Sequence, residues 1–203
     1  MKQKIYFIRH CEPNYDNHND RERELTEKGL QDCQLLIDYF SDKKIDKIFS
    51  SPYKRAYDTV FPLSEKYGLE IQIVHDFRER KIDSVWIDDF TSFTQKQWLD
   101  FSYKLSDGES LQEVQDRNIA ALSDILRKHH KEHIVIGSHG TAISTIINYF
   151  IPAFNYNDFN QIKSLMPFVL VLTFEDDKGV SINLDNIFTG ERQILAKSVR
   201  TLF

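Results

Sequence analysis

A chain of 203 residues, 41% hydrophobic and 28% charged, has the balance of an ordinary globular protein, which excludes a disordered polymer and favours one domain over residues 1–203. Its formal net charge of -5 argues against nucleic acid or a membrane surface as the main partner, since both are polyanionic. No apolar run reaches the length of a bilayer span, and Cys11 and Cys33 are too few for a disulfide framework, so a reducing, cytoplasmic setting is expected.

The first element is Lys4-Ile5-Tyr6-Phe7-Ile8, a short run rich in aromatic and β-branched residues that reads as a strand buried on both faces of an α/β sheet. It ends on Arg9 and His10. Ligand crevices in open α/β sheets lie at the carboxyl ends of strands, so this end delivers a guanidinium fork and an imidazole there. After a polar loop, Thr26 can cap a helix whose Leu30, Cys33, Ile37 and Phe40 face the sheet. Residues 45–50 form a second strand, and Ser51-Pro52 reads as the start of the next helix. Lys54 and Arg55 then lie in a first turn that the helix dipole already makes positive, a conflict that a bound anion would remove. Pro62 is expected to bend or end this helix before Gly68.

A third strand over residues 69–74 leads to Arg78-Glu79-Arg80. From about 80 to 107 a polar stretch carries Trp86, Phe90, Phe93, Trp98, Phe101 and Tyr103. It reads as a small helical insertion whose rings pack on the main core, with a lid over the strand ends as the alternative. Ser110 and Glu113 have the spacing of a capping box, and Leu111, Val114, Ala121, Leu122, Ile125 and Leu126 form the buried stripe of the helix they open. His129, His130 and His133 at its far end suit the dipole there, and no Glu or Cys completes a ligand set, so no metal is expected. Residues 133–137 are a fourth strand ending on Ser138-His139-Gly140-Thr141, followed by a helix with Ala142, Ile143, Ile146 and Ile147 apolar. Residues 168–174 and 180–184 flank a turn and form an antiparallel hairpin. A place at the sheet edge, where strands can pair between chains, would allow a homodimer. The tail from residue 188 carries no signal.

Arg9-His10 after the first strand, Arg55 after the second and His139 after the fourth put two guanidiniums and two imidazoles at three strand ends. A multiply charged oxyanion satisfies that many donors beside helix N-termini, and phosphate is the natural candidate. There is no Walker loop, and no carboxylate cluster points to a metal-assisted mechanism.

On Ile8-Arg9-His10-Cys11-Glu12, Leu25-Thr26-Glu27-Lys28-Gly29, Ser50-Ser51-Pro52-Tyr53-Lys54-Arg55-Ala56, Gly108-Glu109-Ser110-Leu111 and Gly137-Ser138-His139-Gly140, the chain resembles the histidine phosphatase superfamily, the phosphoglycerate mutase-like family. The pieces run in the family's order and cover most of the chain from residue 4 to about 150. The resemblance implies an α/β fold, a three-layer α/β/α sandwich with a mainly parallel central sheet, in which the first, second and fourth strands are adjacent. It implies that His10 is the nucleophile that becomes phosphohistidine. It further implies that Arg9, Arg55 and His139, with Gly140 beside them, bind the phosphoryl group and that Glu79 is the proton donor.

Cys11 stands where the family has Gly, and Pro13, Asn14, Tyr15 and Asp16 replace its usual Thr and Asn, so Asn14 or Asn17 would have to supply the missing phosphate contact. The expected activity is a phosphomonoesterase acting on a small phosphorylated metabolite without metal or cofactor. A cofactor-dependent phosphoglycerate mutase and a catalytically inactive phospho-ligand binding protein are the rivals. Cations around His10 would lower its pKa and keep it neutral for attack on phosphorus.

Overall fold

The computed structural model describes residues 2–84, 89–175 and 178–197. The chain begins with strand β1 (Lys2–Arg9), helix α1 (Glu27–Tyr39), strand β2 (Lys47–Ser50), helix α2 (Lys54–Tyr67) and strand β3 (Ile71–Ile73). A 3-10 turn at His75–Phe77 leads past Glu79 to α3 (Phe90–Leu99) and α4 (Leu111–Lys128). Then come β4 (Ile134–Ser138), α5 (Gly140–Phe150), α6 (Tyr156–Ile162), β5 (Phe168–Glu175), β6 (Lys178–Asn186) and β7 (Arg192–Ala196).

The pleat of β1 divides the molecule into layers, because successive side chains point to opposite faces. Ile5 and Phe7 join a core with Leu122, Ile143, Ile147 and Phe150 of α4 and α5, whereas Tyr6 and Ile8 join one with Cys33, Leu36 and Val60 of α1 and α2. The sheet order is β3-β2-β4-β1-β5-β6-β7. Pairs β3-β2, β2-β4 and β4-β1 are parallel, so the ends of β2, β4 and β1 emerge side by side. The α/β/α sandwich is therefore as expected. Among the described residues no helix is long and apolar enough to cross a membrane.

Local signals account for several boundaries. The Thr26 hydroxyl accepts from Gly29 N at the start of α1, and the Ser110–Glu113 capping box opens α4. Helix α2 closes at Gly68 in the left-handed conformation (φ 63°), which glycine adopts without a Cβ clash.

Other boundaries differ from expectation. Leu30 is 57% exposed, because α1 turns Gly29, Cys33 and Leu36 inward instead. Helix α2 starts at Lys54, not at Ser51-Pro52, and Tyr53 caps it without a side-chain bond. Pro62 lies inside α2 and does not end it. The loss of one backbone donor there is outweighed by the buried stripe of Ala56, Thr59, Val60 and Leu63.

The hairpin is not an edge: β5 pairs antiparallel with β1 along its length, and the edge strand is β7, from the segment that carried no sequence signal. Arg192 of β7 holds Asp185 of β6 through two hydrogen bonds of 2.8 and 2.6 Å. Helix α6 was also not anticipated. In the insertion, Phe93 and Trp98 of α3 are buried, and Trp98 stacks on Phe159 of α6 at 5.4 Å between ring centroids. These rings follow the core-packing reading, while Trp86 lies outside the described residues.

Candidate active site

His10 follows β1 directly, and its ring lies 5.3 Å from that of His139, the residue between β4 and α5. The Nδ1 of His10 is 2.8 Å from the carbonyl oxygen of Cys11. A carbonyl can only accept, so Nδ1 carries the hydrogen and Nε2 keeps its lone pair. Burial first, and then the charges of Arg55 and Arg9, hold the His10 pKa well below its ordinary value. The expected cationic effect is thus present, with desolvation the larger cause. The same burial, with Arg55 next, depresses His139.

His139 is oriented from β2. Ser51 Oγ accepts from Tyr53 N at 3.2 Å and lies 2.7 Å from His139 Nε2. With the hydroxyl donating to Nε2, the hydrogen of His139 sits on Nδ1. The ring of Tyr53 lies 5.2 Å from that of His139 and 5.1 Å from Arg55 Cζ, which links the second strand end to the pair of imidazoles.

Both guanidiniums are buried, Arg9 at 8% exposure and Arg55 at 3%. Arg9 Nη1 donates to the carbonyls of Ile162, Lys163 and Leu165 at the C-terminal end of α6, where helix carbonyls are unpaired. The remainder of that guanidinium packs under the start of α5. A Cβ on Gly140 would lie 3.0 Å from Arg9 Cζ and Nε, so a larger residue there would crowd the guanidinium. Arg9 Nε and His139 Nδ1 are both buried without a hydrogen-bond partner among the described residues. An oxyanion at the N-terminus of α5 would satisfy donors of this kind. Arg55 is held by Asp20, which accepts from Nη1 through its carbonyl and lies 3.1 Å from Nη2 through Oδ1.

Glu79 completes the group. Its Oε2 accepts from Thr141 N at 3.1 Å, and its Oε1 from Ala142 N at 3.2 Å and Arg80 N at 2.9 Å. The carboxyl thus lies on the N-terminus of α5, not on its arginine neighbours. Arg78 turns to Glu109, and Arg80 is buried against Gln97 and the rings of Phe90 and Phe93. The structure therefore brings together Arg9, His10, Arg55, Glu79, His139 and Gly140.

Asn14 and Asn17 are placed differently. Their side-chain amides donate to the two carboxylate oxygens of Glu24, at 2.6 and 2.7 Å, and brace the loop after β1. Cys11 projects away from the imidazoles into the core shared with Leu25 and Leu36. Its thiol lies 3.6 Å from Cys33 Sγ, and that contact and burial push its pKa up. Ser51, Tyr53, Asp20 and the carbonyls after α6 were missed. Ser51-Pro52 looked like a helix cap, and the other partners are distant in sequence or backbone atoms. Among the described residues no three His, Cys, Asp or Glu side chains form a group that could hold a metal ion.

The depressed imidazoles make stability depend on pH. Each binds its proton more weakly in the folded chain than in the unfolded one, so its contribution is complete above the ordinary imidazole pKa of about 6.5 and is lost as pH falls below it. The expected slope below that pH is up to roughly 1.4 kcal/mol per pH unit for each imidazole. Urea unfolding at several pH values should show it. His10→Asn and His139→Asn should each flatten the slope, and unchanged slopes would contradict the assignment.

Comparison with known proteins gives a consistent picture. The profile of the histidine phosphatase superfamily (branch 1) matches residues 5–186. The chain is similar to phosphoglycerate mutase-like protein 4 of Arabidopsis thaliana, 30% identical over 160 residues that cover 70% of this chain and 69% of the relative. It is also similar to the metal-independent phosphoserine phosphatase of Arabidopsis thaliana, 25% identical over 158 residues that cover 70% of this chain and 66% of the relative. Among solved structures, a phosphoserine phosphatase mutant from Entamoeba histolytica in complex with phosphoserine matches with a TM-score of 0.70 at 18% identity, over 98% of each chain. At that identity the likeness is one of fold.

Proposed function

The chain belongs to the histidine phosphatase superfamily, and from that membership and the site geometry we propose that it is a metal-independent phosphomonoesterase acting on a small phosphorylated metabolite. The observation that carries the reading is the pair of neutral, buried imidazoles 5.3 Å apart, one with its Nδ1 committed to the Cys11 carbonyl. His10 Nε2 attacks phosphorus and the bond to the leaving oxygen breaks. The positive charge that develops on the ring is stabilised by the Cys11 carbonyl at Nδ1. Arg9, Arg55 and His139 take up the charge of the transferring oxygens, which is where fixed donors contribute most.

Glu79 gives its proton to the leaving oxygen. Water then attacks the phosphohistidine, Glu79 accepts its proton, and the P–Nε2 bond breaks to release phosphate and neutral His10. The fixed cations do the electrostatic work that a metal would otherwise do. Asn14 and Asn17 enter as braces of the loop, through Glu24. The continuous sheet from β3 to β7 supports treating residues 1–203 as one domain. The free, buried Cys11 and Cys33 support a cytoplasmic location.

The relatives named above point to phosphoserine and to phosphoglycerates as first substrates to try. The mutase-like relative also favours a second reading, in which the phosphoryl group returns to another hydroxyl. Phosphate release from phosphoserine, phosphoglycerates, sugar phosphates and p-nitrophenyl phosphate should persist in excess chelator. Strict dependence on added magnesium would contradict metal independence. Isomerised ester without released phosphate would favour the mutase.

A further inference from the structure

The Gly108-Glu109-Ser110-Leu111 segment and the first turns of α4 are not used in the chemistry above, yet they end on the backbone of the residue that donates the proton. Arg117 of α4 is 11% exposed at its side chain and uses all five N–H groups of its guanidinium. Nη1 donates to the carbonyls of Asp76 at 2.6 Å and Arg78 at 2.9 Å, and Nη2 to that of Glu79 at 3.3 Å. The other edge is bidentate on Glu109, with Nε to Oε1 at 2.9 Å and Nη2 to Oε2 at 3.0 Å. Glu109 in turn accepts from Arg78 Nη2 at 2.7 Å and Lys81 N at 2.9 Å, and its own N–H donates to the Lys81 carbonyl at 2.7 Å.

One guanidinium and one carboxylate therefore grip the segment from residue 76 to 81 on both sides of Glu79. Among the described residues, the Glu79 carboxyl itself is bound to the start of α5 and to the next backbone amide. Its distance from the leaving oxygen is set by where this segment is held. We infer that Arg117, fixed by Glu109, is a positioning residue that holds Glu79 at proton-transfer distance from the leaving group. The inference rests on Glu79 being the proton donor.

A planar fork is needed to reach three carbonyls and a carboxylate at once, and a lysine cannot reproduce it. Misplacing a reacting group by about 1 Å costs up to roughly 10²-fold. The loss should fall on the step that needs the proton.

The test compares kcat on an alkyl phosphate and on p-nitrophenyl phosphate for Arg117→Lys, Glu109→Gln, Glu79→Gln and the Glu79→Gln/Arg117→Lys double variant, with thermal unfolding alongside. Arg117→Lys should lose roughly 10- to 100-fold on the alkyl ester and less than about 3-fold on the aryl ester. Glu109→Gln, which keeps Arg117 but weakens its anchor, should show the same selectivity to a smaller degree. The double variant should be no slower than Glu79→Gln on the alkyl ester, because a positioning residue has nothing left to position. If Glu79→Gln is selective but both Arg117→Lys and Glu109→Gln lose equally on the two esters, or if the double losses multiply, the positioning role is overturned and the proton donor stands. If Glu79→Gln is itself unselective, the donor assignment falls, and the inference falls with it.

Discussion

His10→Ala should abolish turnover on every phosphate ester, a loss on the order of 10⁴- to 10⁶-fold, as removal of a covalent nucleophile does elsewhere. Binding of inorganic phosphate or vanadate should survive in part. Arg9, Arg55 and His139 belong to β1, α2 and the start of α5, and each has its own anchor: the carbonyls after α6, Asp20, and Ser51. None of those anchors passes through the His10 ring, which is hydrogen-bonded to the adjacent Cys11 carbonyl. Titration calorimetry with phosphate, run beside the activity assay, separates the two effects. Turnover within about tenfold of the parent would place the nucleophile elsewhere. Loss of phosphate binding together with turnover would make His10 a structural residue.

The second large effect concerns leaving groups. Glu79→Gln retains the shape and one acceptor, and it removes the exchangeable proton. Activity on an alkyl phosphate should fall by roughly 10² to 10⁴, the usual worth of general acid catalysis. On p-nitrophenyl phosphate the loss should be far smaller, since its phenolate departs with little protonation. The amide oxygen can keep only one side of the carboxylate's hydrogen bonds, because Thr141 N donates to one Glu79 oxygen and Ala142 N and Arg80 N to the other, and the NH2 group then faces a donor. Stability should therefore drop by about 1–3 kcal/mol, read by urea unfolding. Equal kinetic losses on both esters would assign Glu79 to binding or packing.

What the sequence disclosed follows from how local each signal is. The strand ends bearing Arg9-His10 and His139, the Thr26 cap and the Ser110–Glu113 box depend on neighbours within a few residues, so periodicity and spacing reveal them. The supports of the site are of another kind. Arg9 is held by backbone carbonyls more than 150 positions away, and Arg117 grips carbonyls about 40 positions upstream. A carbonyl has no sequence identity, so no residue pattern could announce either contact. Asn14 and Asn17 carried the right chemistry for phosphate, but Glu24, in the same loop, takes both amides. Strand β7 escaped notice because Arg192-Gln193-Ile194-Leu195-Ala196 has no clear alternation, and its place is fixed by pairing with β6 and by Asp185.

The central claim is a phosphohistidine on His10, and trapping it is the most direct measurement. The full chain would be mixed with an ester labelled in its phosphoryl group, quenched in base during turnover, digested, and analysed by mass spectrometry. One phosphoryl group should appear on the His10 ring, stable to base, lost in acid and absent from His10→Ala. Turnover with no labelled protein, or an acid-stable phosphate on a hydroxyl such as that of Ser51, would contradict the account.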